Sequence, residues 1–367
     1  MGRKPNQSPL RRRITIHDVA KETGFAVSTI SNALAGKSHV SEETRARIQE
    51  IAERIGYRAS SAARSLRLRQ SLMIGVLVAD VANPASPDFL RGIEDVATQN
   101  GYDVLLCNTD GSEKRQIAQM RALLDRNVDG IILISQHCSS PEIRALLADG
   151  TPYVLLQRRT SLHADDYVGA DNVNGIGEAV AELARLGHRR VGFIRGPADS
   201  STAAERYEGF CNAVAQHGLD PDPALVHDGD YSVERGYRVT LDFLSSSRPP
   251  SAIIASNDMN ALGVLDAAAA KNVQVPEQLS VIGYDNVIFA GFARISLTTI
   301  DLPKREMGAA AATLLMKRIN SRRRSAPKTV IFPTRLVLRG STGPAAEPQS
   351  AAASHNRIRS KQEKDRP

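Results

Sequence analysis

Ser28, Thr29, Ser31 and Asn32 fall within residues 26–34, where Val27, Ile30, Ala33 and Leu34 recur at helical spacing. Small side chains that both donate and accept suit a helix lying in a DNA major groove. Asn32 can pair an adenine edge through two hydrogen bonds, and Val27 can meet a thymine methyl. Far along the chain, Asn257 follows the run Ile253-Ile254-Ala255-Ser256, and Asp285 follows Val281-Ile282-Gly283-Tyr284. Ligands of open α/β sheets bind beyond the carboxyl ends of strands, so both residues suit hydrogen bonds to a small polyol. Bond-making chemistry has no such support. Gly36-Lys37-Ser38 lacks the first glycine of a phosphate loop, since Ser31 stands there, and no strand precedes it. Gly175-Ile176-Gly177 lacks the third glycine of a dinucleotide fingerprint. There is no Gly-x-Ser-x-Gly elbow and no His-x-x-x-His pair. The chain therefore reads as a non-enzyme without catalytic residues, cofactor or metal.

The elements around residues 26–34 must position that helix. Thr15 opens a preceding helical pattern with Ile16, Val19 and Ala20 on one face, and Asp18 stands where a capping box places an acid. Gly24 breaks it where a tight turn needs positive φ. A third helix starts at the cap Ser41-Glu42-Glu43-Thr44, with Ile48, Ile51, Ala52 and Ile55 facing inward. Two short helices joined by a Gly-containing turn make a helix-turn-helix. A plain three-helix bundle without a ligand is the alternative.

The order Ile16-His17-Asp18-Val19-Ala20, Ser28-Thr29-Ile30-Ser31-Asn32, His39-Val40-Ser41 and Ala63-Arg64-Ser65-Leu66-Arg67 resembles the lactose-repressor (LacI-type) family of bacterial transcription regulators. The resemblance continues through Gly169-Ala170-Asp171-Asn172, Leu186-Gly187-His188-Arg189-Arg190-Val191, Ala255-Ser256-Asn257-Asp258 and Ile282-Gly283-Tyr284-Asp285, covering about residues 14–343. It implies a DNA-contacting set of Thr15, Val27, Ser28, Thr29, Asn32, Ala63, Arg64 and Leu66. In it, residues 62–67 would form a hinge helix whose Leu66 wedges into the minor groove. It also implies a cleft arginine at Arg206 and a stacking aromatic at Tyr231, beside Asn257 and Asp285. Two departures stand out. The family's paired aromatics after Asn83-Pro84 are missing, with Phe89 further on, and Gln157 occupies a place where an acid is common.

Charge agrees with a split molecule. Of the 367 residues, the first 71 hold 14 Lys and Arg against 6 Asp and Glu; the rest hold 33 against 34. A basic head on a near-neutral body points to a polyanion partner for the head alone. Cys107, Cys138 and Cys211 are odd in number and widely spaced, which suggests no disulfide framework. With no apolar run of membrane length and no signal-peptide core, the expected location is the cytoplasm, at the nucleoid.

From Leu72 short Val/Ile-rich runs alternate with helical patterns, which argues for parallel sheets covered on both faces. The expected fold is a three-helix helix-turn-helix head with hinge helix (α), then a two-lobed α/β effector domain like the periplasmic binding proteins, built from two Rossmann-like lobes. The expected boundaries are a basic disordered arm at 1–13, the DNA-binding domain at 14–59, and hinge and linker at 60–71. The effector and dimerisation domain spans 72–343, with one lobe at 72–170 and 301–330, the other at 171–300 and 331–343. A disordered tail fills 344–367, and it lacks the leucine heptads of a four-chain assembly. The expected function is a repressor that binds a near-palindromic operator in double-stranded DNA as a homodimer. A small-molecule effector in the cleft, a sugar or polyol, would control it. A purine-like corepressor is the runner-up, and a sugar-binding receptor without DNA function is the competing class.

Overall fold

The computed structural model describes residues 14–34, 39–57, 70–134, 137–321 and 325–346. It divides into a unit ending at Leu72 and a larger one from Met73.

In the smaller unit, α1 (Ile16–Thr23), α2 (Val27–Leu34) and α3 (Glu42–Arg54) surround Val19, Ile30, Ala33, Val40, Ile48 and Ala52. Thr15 donates its amide and its hydroxyl to Asp18 Oδ2, each at 2.8 Å, so the first helix starts where the sequence signal lies. Gly24 at φ 75° ends it, its N–H bonding Ala20 O. Ser41 caps α3 by accepting from Thr44 N.

The larger unit holds two six-stranded sheets. The first is built by β1 (Met73–Val78), β2 (Asp103–Asn108), β3 (Gly130–Ile134), β4 (Tyr153–Leu156) and β5 (Tyr167–Ala170). Between them run α4 (Ser86–Gln99), α5 (Glu113–Asp125) and α6 (Pro141–Leu147). The chain then crosses over. The second sheet takes β6 (Val191–Ile194), β7 (Val226–His227), β8 (Ala252–Ala255), β9 (Ser280–Tyr284) and β10 (Thr298–Asp301). Its helices are α7 (Asn172–Arg185), α8 (Ser201–Gln216), α9 (Val233–Ser245) and α10 (Asp258–Ala270). A return crossing leads through α11 (Lys304–Asn320) to β11 (Thr329–Phe332), and a third to β12 (Arg335–Val337). The strand orders are β11-β5-β4-β3-β1-β2 and β12-β10-β9-β8-β6-β7. All pairings are parallel except β12 against β10, an antiparallel edge that the alternating pattern did not signal.

The crossings fall slightly off the expected positions. Asp301 pairs within the second sheet rather than opening the return, and Ile331 and Phe332 still pair within the first. Residues 344–346, expected in a disordered tail, are placed: Ala345 N donates to Leu186 O, and His188 Nε2 lies 3.1 Å from Gly343 O. His188 is a buried polar anchor for this end of the chain, which composition alone does not reveal.

Glycine decides one helix pairing. A Cβ on Gly92 of α4 would meet Arg305 O at 1.9 Å, and one on Gly308 of α11 would meet Phe89 O at 2.1 Å. Reciprocal glycines therefore let α4 and α11 touch backbone to backbone, which closes the first lobe with a helix from far down the sequence. No helix among the described residues is long and apolar enough to cross a membrane.

Candidate functional site

Ser28 and Thr15 are exposed, while Val27, Thr29 and Asn32 are half-buried beside the covered Ile30 and Ala33. The hinge residues Ala63, Arg64 and Leu66 lie outside the described residues.

In the larger unit a cavity of about 580 Å³ opens between the carboxyl ends of the two sheets. Arg206, Tyr231, Asn257 and Asp285 all line it, brought together from three loops and one helix of the second lobe. Arg206 is 3% exposed, on the inner face of α8. Its Nε donates to Asn172 Oδ1 at 3.1 Å, its Nη1 to Ser256 O, and its Nη2 lies 3.7 Å from Asp285 Oδ1. The guanidinium carbon sits 3.6 Å from the centroid of the Tyr284 ring, and Tyr284 OH donates to the same Asn172 oxygen at 2.8 Å. A buried cation so fully engaged is a fixed strut: it can offer a ligand one edge without moving.

Asp285 follows β9 at φ 105°, a left-handed conformation that costs a non-glycine residue energy. Its N–H bonds Ile300 O at 2.9 Å, and Lys304 Nζ donates to its carbonyl. Burial pushes its carboxyl above the usual range, against the pull of Arg206, Lys304 and Arg158. Behind it, Asp258 accepts from Thr299 Oγ1 at 2.6 Å and Val287 N at 2.8 Å. Burial and the Asp285 charge push the Asp258 carboxyl up to about 7.

Asn257 lines the cavity, but both ends of its amide have internal partners. Its oxygen caps α10 by accepting from Asn260 N at 2.9 Å, and its nitrogen donates to Tyr231 O at 3.2 Å. It holds the left-handed Tyr231 (φ 68°) in place at least as much as it faces the cavity. The Tyr231 hydroxyl lies 3.4 Å from Ser200 Oγ and Thr202 Oγ1, and its ring covers Gly196, where any Cβ would collide.

Three lining residues were not singled out as site residues from sequence. Phe89, on α4, supplies the first lobe's aromatic wall that the loop at 83–88 lacks. Gln157, at φ 70°, turns the chain after β4 and faces Arg158 toward the opposite lobe, 5.6 Å from the Tyr231 ring centroid. The signal for Arg158 was its place just past a strand end, the same rule that found Asn257 and Asp285.

Comparison with known proteins gives a consistent result. Residues 15–60 match the family described as bacterial regulatory proteins, lacI family, and residues 180–342 match the periplasmic binding protein-like domain. Catabolite control protein A of Priestia megaterium is 30% identical over 331 residues, spanning 90% of this chain and 99% of that protein. The ribose operon repressor of Halalkalibacterium halodurans is 33% identical, spanning 89% and 97% respectively. The crystal structure of the lac repressor dimer bound to operator and an anti-inducer superposes with a TM-score of 0.82 at 25% identity, covering 90% of this chain and all of that one.

Proposed function

Because the chain belongs to the lacI family of bacterial regulatory proteins, we propose that it is a dimeric repressor whose operator affinity is set by a sugar or polyol in the cleft. The observation that carries the ligand half is the buried Arg206–Asp285 pair lining a 580 Å³ cavity. Fixed donors and acceptors over a Tyr231 face suit a hydroxyl-rich ring. Such a ligand bridges the lobes and favours whichever lobe arrangement gives it more contacts, and that difference is the coupling to DNA. Its place of action is the cytoplasm, on the nucleoid.

Dimerisation has support in an apolar surface of the second lobe. Ile288 is 72% exposed and Phe292 51%, with Phe289 packed edge-on to Phe292 at 5.8 Å between centroids. A patch of this kind suits a second copy of the chain, and a two-fold pair matches a near-palindrome.

Base reading rests on Val27, Ser28 and Asn32, with Thr15 and Thr29 beside them, Arg64 facing phosphates, and the small Ala63 letting two hinge helices pack closely. Selection of bound sequences from a random DNA pool tests the whole reading: a near-palindromic consensus is expected, and recovery of none would overturn it. Asn32→Ala should cost about 1–3 kcal/mol on that consensus and relax one symmetric pair of positions. An unchanged preference removes Asn32 from the reading set. Leu66→Ser should lower specific affinity and the bend angle while sparing salt-dependent binding to random DNA. Equal losses on both would mean that Leu66 supports folding only.

A further inference from the structure

Arg158 stands out among the cavity's charges. Its Nη1 has no surface open to solvent and no hydrogen-bond partner, and among the described residues no carboxylate pairs with its guanidinium. It faces the Tyr231 ring across the gap between the lobes and acts on the Asp285 charge without an ion pair or hydrogen bond to it. The other deep groups are already matched: Arg206 by Asp285, Ser256 and Asn172, and Asn257 by Asn260 and Tyr231. The acids around the mouth are exposed and belong to their own loops. Asp80 accepts from Ala82 N, and Asp230 from Ser232. Asp110 is tied to Arg115 and Asn108. Only Glu234, exposed on the first turn of α9, has no such tie among the bonds described, and it too is at the rim.

A buried, unmatched guanidinium donor is costly, because its hydration is lost and nothing replaces it. The residue beside it, Gln157, is neutral and cannot balance the charge. From this we infer that the cleft ligand carries an oxyanion, seated on Arg158: a sugar acid or a sugar phosphate rather than a neutral sugar. Carboxylate and phosphate share the planar or forked oxygen geometry that a guanidinium grips with two parallel hydrogen bonds. The ring hydroxyls then fall to Arg206 and Asp285, and Tyr231 provides the floor. This inference rests on the cleft being the effector site and adds the charge of the ligand.

The test is binding of matched pairs to the full-length protein by calorimetry: D-ribose with D-ribose 5-phosphate, and D-glucose with D-gluconate, D-glucuronate and D-glucose 6-phosphate. The expected result is that a charged member binds and its neutral parent binds at least about tenfold more weakly. Gluconate and glucuronate against the phosphates separate carboxylate from phosphate. Arg158→Gln should weaken the charged member about 10- to 100-fold, and Gln157→Glu, which adds a negative charge to the cavity lining next to Arg158 in the chain, about tenfold. The second variant keeps the test open if the first folds poorly. A neutral member that binds as tightly as its charged partner, with loss of binding in Asp285→Asn, overturns the charge while the effector cleft stands. Charged members bound undiminished by both Arg158→Gln and Gln157→Glu overturn the seat. Binding of no member overturns the charge and the sugar reading together.

Discussion

Replacing Arg206 by alanine is expected to destabilise the second lobe by about 3–5 kcal/mol and abolish the effector response at the same time. The substitution strands Ser256 O and the Asp285 carboxylate, leaves Asn172 Oδ1 with Tyr284 OH alone, and removes the cation stacked on Tyr284. One partner removed from a buried pair leaves the other without compensation, which costs more than the pair itself contributes. Asp285→Asn separates the two effects. Asparagine tolerates the left-handed φ of 105° better than alanine, and the backbone bonds to Ile300 and Lys304 do not involve the side chain. That variant should keep most of its stability and its ligand-free operator affinity yet lose the response. Urea denaturation with operator-release assays checks both. Wild-type stability in Arg206→Ala, or a normal response in both proteins, removes this pair from the site.

The second large effect is a loss of stability on raising the pH. The Asp258 carboxyl sits at about 7 in the fold against an ordinary 3.8, and Asp285 is raised in the same direction. The folded state therefore holds protons that the unfolded chain has released. The stabilisation is complete below about pH 4 and is lost as pH climbs through 7, with a ceiling of about 4 kcal/mol for Asp258. His188 works in the opposite sense at the acid end, because burial holds its imidazole below the ordinary value. The difference between wild type and Asp258→Asn isolates the carboxyl. The variant gives up one acceptor for Thr299 or Val287 and should be less stable at pH 5, with a flatter slope up to pH 8. An identical slope in both proteins would mean that Asp258 is ionised throughout.

Much of the head and of both sheets could be read from the chain because their signals are local. The Thr15–Asp18 pair, Gly24 and the Ser41 cap sit beside the helices they delimit. The central strands, such as Met73–Val78 and Ser280–Tyr284, are short Val/Ile-rich runs buried on both faces. What escaped was long-range. The strand Tyr167–Ala170 did not stand out, because four residues beside a crossing have no period to show. The antiparallel β12 depends on a partner chosen by the third crossing, not by its own residues. In the cleft, Arg206 and Asp285 carried strong neighbouring motifs, and strand ends located Asn257. That Asn257 is occupied by the Asn260 N–H and the Tyr231 carbonyl, while Arg158 Nη1 has no partner, depends on loops that meet only in the folded domain.

The discontinuous lobes also bear on how the protein is made. The first sheet stays open on one edge until Thr329–Phe332 has been synthesised, and its face stays bare until Lys304–Asn320 exists to meet Gly92. The second sheet waits still longer for Arg335–Val337. A ribosome translating this chain therefore releases a finished DNA-binding head some 280 residues before either lobe can close. Throughout that interval a folded half-site reader is tethered to an effector domain that can neither pair with a second copy nor sense its ligand. A premature stop before residue 304 leaves two unfinished sheets with exposed parallel edges, a substrate for chaperones and proteases rather than a smaller regulator.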